Sequence, residues 1–158
     1  MPSAAQIFEK VKGYFDTKEL KYTIVENREN SLKTVYSIDG KLKQATLFFN
    51  CYEDCFIVNT YITLNADEKC RTKVGEFLHR ANYGLRYGCF EMDFEDGEIR
   101  YRMTTDCKDR TGLSEALVRS SISIPLHMFE KYGDDLVAVM YDIKEPKKAI
   151  EDAEKPKE

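Results

Sequence analysis

The stretch Gly88-Cys89-Phe90-Glu91-Met92-Asp93-Phe94-Glu95-Asp96-Gly97-Glu98-Ile99-Arg100-Tyr101-Arg102-Met103 decides the fold. Asp96-Gly97 has the form of a two-residue hairpin turn, because a type I′ turn needs positive φ at both central positions. Folding about it pairs Glu95 with Glu98, Phe94 with Ile99, Asp93 with Arg100, Met92 with Tyr101, Glu91 with Arg102 and Phe90 with Met103. Side chains alternate faces along a strand. Phe90, Met92, Phe94, Ile99, Tyr101 and Met103 therefore share one face and are expected in the core. The other face carries Asp93/Arg100 and Glu91/Arg102, opposite-charge pairs worth roughly 0.2–1 kcal/mol each. This hairpin is a signal of framework, not of chemistry.

Outward from the hairpin, the chain reads as one α+β unit. On the N-terminal side, Ser3-Ala4-Ala5-Gln6 has the capping-box form, and Ile7, Phe8, Val11, Tyr14 and Phe15 follow at helical spacing. A helix is predicted over 4–17. Residues 21–63 read as strands: Tyr22–Val25, Thr34–Ile38 before a second hairpin turn at Asp39-Gly40, then Thr46–Cys51 and Phe56–Ile62 around Tyr52–Cys55. The last pair is apolar on both faces. Leu47, Phe49, Phe56, Val58 and Ile62 fit one face, and Phe48, Tyr52, Ile57 and Tyr61 the other. Such a pair is usually covered twice, here by a C-terminal helix or by another protomer. Asn65 and Glu68 give a second cap signal. Cys70, Val74, Phe77, Leu78 and Ala81 make a helical stripe, stopped at Gly84.

On the C-terminal side, a loop from about Thr105 to Gly112 leads to Leu113-Ser114, which opens a last helical region. Pro125 is expected to kink or break it. Met128, Phe129, Tyr132, Leu136, Val139, Met140 and Ile143 keep helical period beyond. The tail 144–158 has little to bury and is expected to be a disordered charged segment. The predicted fold is an antiparallel sheet of about five to six strands packed with helices, in the order α-β(3-4)-α-β-β-α, as one domain over 1–143.

Length and composition agree with this. A chain of 158 residues buries about 68–70% of its unfolded surface. The net charge of -4 disfavours nucleic acid, whose backbone needs a cationic surface. No apolar run approaches the roughly 18 residues of a spanning helix, and the N-terminus lacks signal-peptide form. Five cysteines without repeat spacing read as free thiols of a cytoplasmic protein.

Candidate chemistry is thin. The acids Glu91, Asp93, Glu95, Asp96 and Glu98 suggest a divalent cation, but hard cations need convergent oxygens, and the register puts arginines beside two of them. Cys51 and Cys55 lack the further ligands of a zinc site. His79 and His127 stand alone, and no phosphate loop or nucleophile elbow is present. Tyr132-Gly133-Asp134-Asp135 imitates a motif of viral RNA polymerases but lies in a helical pattern, so its acids read as helix surface. The amphipathic run Met128, Phe129, Tyr132 and Leu136 reads as core before it reads as a partner groove. No cofactor and no metal are predicted.

Asn82-Tyr83-Gly84-Leu85-Arg86-Tyr87-Gly88 and the hairpin after it resemble the YbjN family, whose members have a helix ending in Asn, a Gly-x-Phe strand, an acidic-Gly turn and a strand rich in Arg and aromatics. The specific part spans about residues 65–143. The element order is similar to the type III secretion chaperone-like fold. The resemblance implies an α+β domain that often dimerises, has no established catalytic residues, and is tied to bacterial stress, motility and sensory regulation. Type III chaperones are small acidic homodimers that hold extended segments of effectors. The resemblance also assigns framework roles: Asn82 capping its helix, Gly88 allowing close packing, Gly97 making the turn. The expected function is a non-enzymatic, chaperone-like or regulatory module that binds itself and an unknown protein segment. Its predicted patch is Phe48, Tyr52, Ile57 and Tyr61, the second face of a central hairpin. A small enzyme or ion-binding protein using the acidic hairpin 91–102 is the alternative, and a basic-patch RNA binder comes last.

Overall fold

A computed structural model of the chain describes residues 1–108 and 113–156. The elements run α1 (Ala4–Thr17), β1 (Thr23–Ile24), β2 (Ser31–Ser37), β3 (Gln44–Cys51), β4 (Cys55–Ile62), a 3₁₀ turn (Glu68–Cys70), α2 (Arg71–Asn82), β5 (Cys89–Met92), β6 (Ile99–Asp106), α3 (Glu115–Met140) and α4 (Pro146–Ala153). The strands form one sheet in the order β1-β2-β3-β4-β6-β5. Every neighbouring pair is antiparallel. This is the α+β class expected.

Helices α1, α2 and α3 pack on one face of the sheet, and α4 packs on α2 and α3. The capping box forms: Gln6 N–H donates to Ser3 Oγ, and Ser3 N–H to Gln6 Oε1. The sheet's inner row of Leu47, Phe49, Phe56, Val58, Ile99 and Tyr101 is fully buried. Phe15 meets Phe49 edge-on at 5.4 Å between ring centres, and Phe90 meets both Phe129 and Tyr132 from α3. Each fully buried Phe contributes about 1.5–3 kcal/mol. Met128 is half-buried, while Phe129, Tyr132 and Leu136 are core.

Five local expectations are corrected. The opening hairpin pairs Cys89 with Arg102, Phe90 with Tyr101, Glu91 with Arg100 and Met92 with Ile99. The register is two residues from the expected one, because the connection is a four-residue loop rather than a two-residue turn. Gly97 N–H donates to Asp93 O, Asp93 N–H to Glu98 O, and Glu95 N–H to the Asp93 carboxylate. An even shift keeps the faces, so Phe90, Ile99, Tyr101 and Met103 are buried. Phe94 falls in the loop and is 57% exposed, its ring over Gly75.

The loop at Asp39-Gly40 is also wider. It spans 38–43, closed by Ile38 N–H to Lys43 O. Two acids of α3 hold it: Glu130 accepts from Asp39 N–H and Asp134 from Lys41 N–H. Asn65 does not cap α2. Its amide donates to Asp96 O, while α2 begins after the 3₁₀ turn.

Pro125 does not break α3, which runs as one helix of 26 residues. Pro125 and Ser121 are both buried in it. Ser121 Oγ donates back to Leu117 O and contacts Thr105 Oγ, so packing against β6 outweighs the missing donor.

The tail folds as well. Pro146–Ala153 forms α4 with Pro at its first turn, and Pro146, Ala149 and Ala153 are buried. Lys144 bridges Asp135 and Asp152, and Tyr132 donates its hydroxyl to Glu154. Of the predicted loop 105–112, residues 109–112 lie outside the described residues, and β6 occupies 105–106.

Candidate interaction surface

With α1, α2 and α3 on one face, the other face of the sheet bears no helix among the described residues. The registers lay its side chains in three rows across the strands. One row is Val35, Thr46, Tyr61, Arg100 and Glu91. The next is Lys33, Phe48, Asn59, Arg102 and Cys89. The third is Ser31, Asn50, Ile57 and Thr104. These rows follow from strand alternation, because the partners on the inner face are the buried core.

The predicted patch is only partly contiguous. Phe48 and Tyr61 meet edge-on at 5.7 Å between ring centres, and both are half-buried. Ile57 is half-buried in the third row. Tyr52 lies past the end of β3, 42% exposed, with its hydroxyl accepting from Arg28 at 3.4 Å. Asn50 and Ser31 are buried on this face, where Ser31 Oγ donates to Asn50 Oδ1. Asn50 Nδ2 and Asn59 Oδ1 have no partner among the described residues.

Beside the rings lies a charge cluster that contains the expected Glu91–Arg102 pair and adds Arg100 to it. Glu91 takes both arginines. Arg100 Nε donates to Glu91 Oε2 at 2.7 Å, and Arg102 Nε and Nη2 reach Oε1 at 2.8 and 2.7 Å. Arg100 Nη1 also donates to the Tyr61 hydroxyl at 3.3 Å. The cluster thus joins β5, β6 and β4. Burial pushes the Glu91 carboxyl up, but the hydrogen bonds from Arg102 and Arg100 outweigh it and hold the group below its usual range. The expected Asp93–Arg100 pair is replaced by Glu91–Arg100, because Asp93 turns into the loop. Finding the cluster from sequence needed the two-residue register shift and the β4–β6 pairing, and neither has a local signal.

The remaining candidates take framework roles. Asp96 accepts from Glu98 N–H. Among the described residues no group of three or more His, Cys, Asp or Glu converges to hold a metal. Among the described residues no cysteine is joined in a disulfide. Burial pushes the Cys51 thiol up to about 12 and the Cys55 thiol up to about 11, which keeps both protonated at neutral pH. His79 and His127 are exposed on helices. Asp134 and Asp135 hold the 38–43 loop and Lys144.

Among the described residues, two of the surface clefts are of note. One, of about 590 Å³, curls round the β5 edge between Glu91, Met92, Phe94, Glu98 and Arg100. The other, of about 580 Å³, lies between α2 and α4 and is lined by His79, Tyr83 and Ile150. No described helix is long and apolar enough to cross a membrane.

A family model described as "YbjN: Putative bacterial sensory transduction regulator" matches residues 8–138, most of the chain. No curated protein matches the sequence.

Proposed function

This chain belongs to the YbjN family, and on that premise we propose a non-enzymatic, cytoplasmic regulatory module that binds a protein segment on its open sheet face and works as a homodimer. The observation that carries the reading is the face itself. Phe48, Ile57 and Tyr61 are half-buried there with no helix over them among the described residues, beside two arginine side chains that are 37% and 40% exposed. Apolar rings beside partly exposed arginines are the usual composition of a binding surface, where aromatics and Arg are enriched. The family's description as a regulator supports the same reading.

The test is site-specific photocrosslinking in the cytoplasm of the source cell. A photoreactive residue at Ile57 is expected to give discrete protein adducts, and one at Glu9, on the exposed side of α1, is not. Equal adducts at both positions, or none at Ile57, would count against the surface. Sedimentation at low micromolar concentration is expected to show a dimer, and monomer alone would remove that part of the proposal.

A further inference from the structure

We infer that the segment held on this face is acidic: an extended peptide whose alternate, same-face carboxylates engage Arg100 and Arg102 beside Phe48 and Tyr61. This rests on the reading of the sheet face as a binding surface. The chain as a whole is acidic, at -4. Its central outer rows are not. They carry Lys33, Arg100 and Arg102 against the carboxylate of Glu91, and the acids Asp93 and Glu98 lie beyond them at the hairpin end, in the cleft beside Arg100. Asp106, at the far end of β6, is occupied by Lys108 N–H.

The guanidiniums keep donors in reserve. Each has five N–H groups. Arg100 uses Nε and Nη1, and Arg102 uses Nε and Nη2. Arg100 Nη2 and Arg102 Nη1 have no hydrogen-bond partner among the described residues. Each of these nitrogens can give an incoming carboxylate a charge-assisted hydrogen bond. Spacing fits as well. Arg100 and Arg102 sit two residues apart on one strand, roughly 6.5–7 Å, which is also the same-face repeat of an extended peptide. Single-stranded RNA fits less well. Phe48 and Tyr61 pack edge-on against each other rather than presenting open faces, and base stacking needs an open face.

The probes are a fluorescein-labelled decapeptide alternating Glu with Val, its Lys–Val counterpart and decauridylate, tested against the full chain by fluorescence anisotropy at low salt. The Glu–Val peptide is expected to bind, more weakly as salt rises, and the other two not. Replacing Arg100 and Arg102 together by Met is expected to weaken it at least about tenfold, the loss of one charge-assisted hydrogen bond. Glu91→Gln removes the competing carboxylate and is expected to tighten binding several-fold. Lost packing alone would not produce that gain, so this variant separates the charge role from a folding defect. Equal binding of the two peptides, tighter binding of decauridylate, or weaker binding by Glu91→Gln would overturn the inference. No binding by any probe, with the Ile57 adducts intact, overturns the acidic partner and leaves the surface standing. Loss of both removes the surface too.

Discussion

The carboxamide of Asn82 binds the backbone of Phe90 as a neighbouring strand would. Its Oδ1 accepts from Phe90 N–H at 2.7 Å and its Nδ2 donates to Phe90 O at 2.9 Å. Strand β5 is the edge of the sheet, and Phe90 shows these groups on its free side. The side chain therefore does not cap α2, as its family resemblance implies. It blocks an edge that would otherwise offer itself for pairing. Asn82→Ala is expected to cost about 1–3 kcal/mol, by leaving partly buried groups unpaired. Urea unfolding measures this. The variant is also expected to self-associate more, read by size-exclusion chromatography. Unchanged stability would refute the pairing.

Gly97 joins the hairpin loop to the segment before α2. Its carbonyl accepts from Ala66 N–H at 2.8 Å, and a Cβ there would clash with the backbone of Ala66. Its φ is 76°. Gly97→Ala therefore combines strain with a backbone clash, about 3 kcal/mol. For a chain of this size that lowers Tm by roughly 6–12 °C. A melting curve within about 2 °C of the parent would contradict this packing, on the same scaling.

Glu91 makes stability depend on acid. Its folded pKa lies below the unfolded value, so its contribution is present above the unfolded pKa and is lost as pH falls through the folded one. An NMR titration is expected to place the Glu91 carboxyl below the ordinary value of about 4.3. Glu91→Gln is expected to be less stable than the parent at neutral pH and to converge with it in acid. A Glu91 pKa at or above the ordinary value would contradict the double arginine clasp.

Helix α4 is too short to persist alone, so its order comes from docking. Ala149 is fully buried against α2 and α3. Ala149→Arg is expected to undock the helix and cost about 2 kcal/mol or more by forcing a charge into that contact. Hydrogen exchange would show lost protection confined to about 146–153. Protection left intact would mean that α4 does not depend on this contact.

Much of the framework was legible because its signals are local. Ser3 and Gln6 mark the start of α1, and alternation places Leu47, Phe49, Phe56 and Val58 inside. What escaped depends on partners distant in sequence. Asp96-Gly97 has the composition of a tight turn, but Asn65, Ala66 and Arg71 clasp a wider loop, Arg71 donating to Phe94 O and Glu95 O. Pro125 reads as a breaker until Ser121 is seen against Thr105. The tail reads as polar until Ala149 and Ala153 meet the α2–α3 groove. For the surface, Phe48 and Tyr61 followed from strand period. The clasp of Arg100 and Arg102 on Glu91 depends on which strand lies beside β4, and no local pattern states that.

The sheet order also bears on when this surface comes into being. β2, β3 and β4 form a meander of neighbouring hairpins, while β6 reaches β4 only after the intervening 63–98 segment has folded back. Closing such a long loop is slow relative to closing a hairpin. On a growing chain Phe48 and Tyr61 are therefore in place before the guanidiniums arrive. The charged half of the surface exists only once β6 has closed the sheet, so a ligand that needs both halves can be held only by a finished molecule.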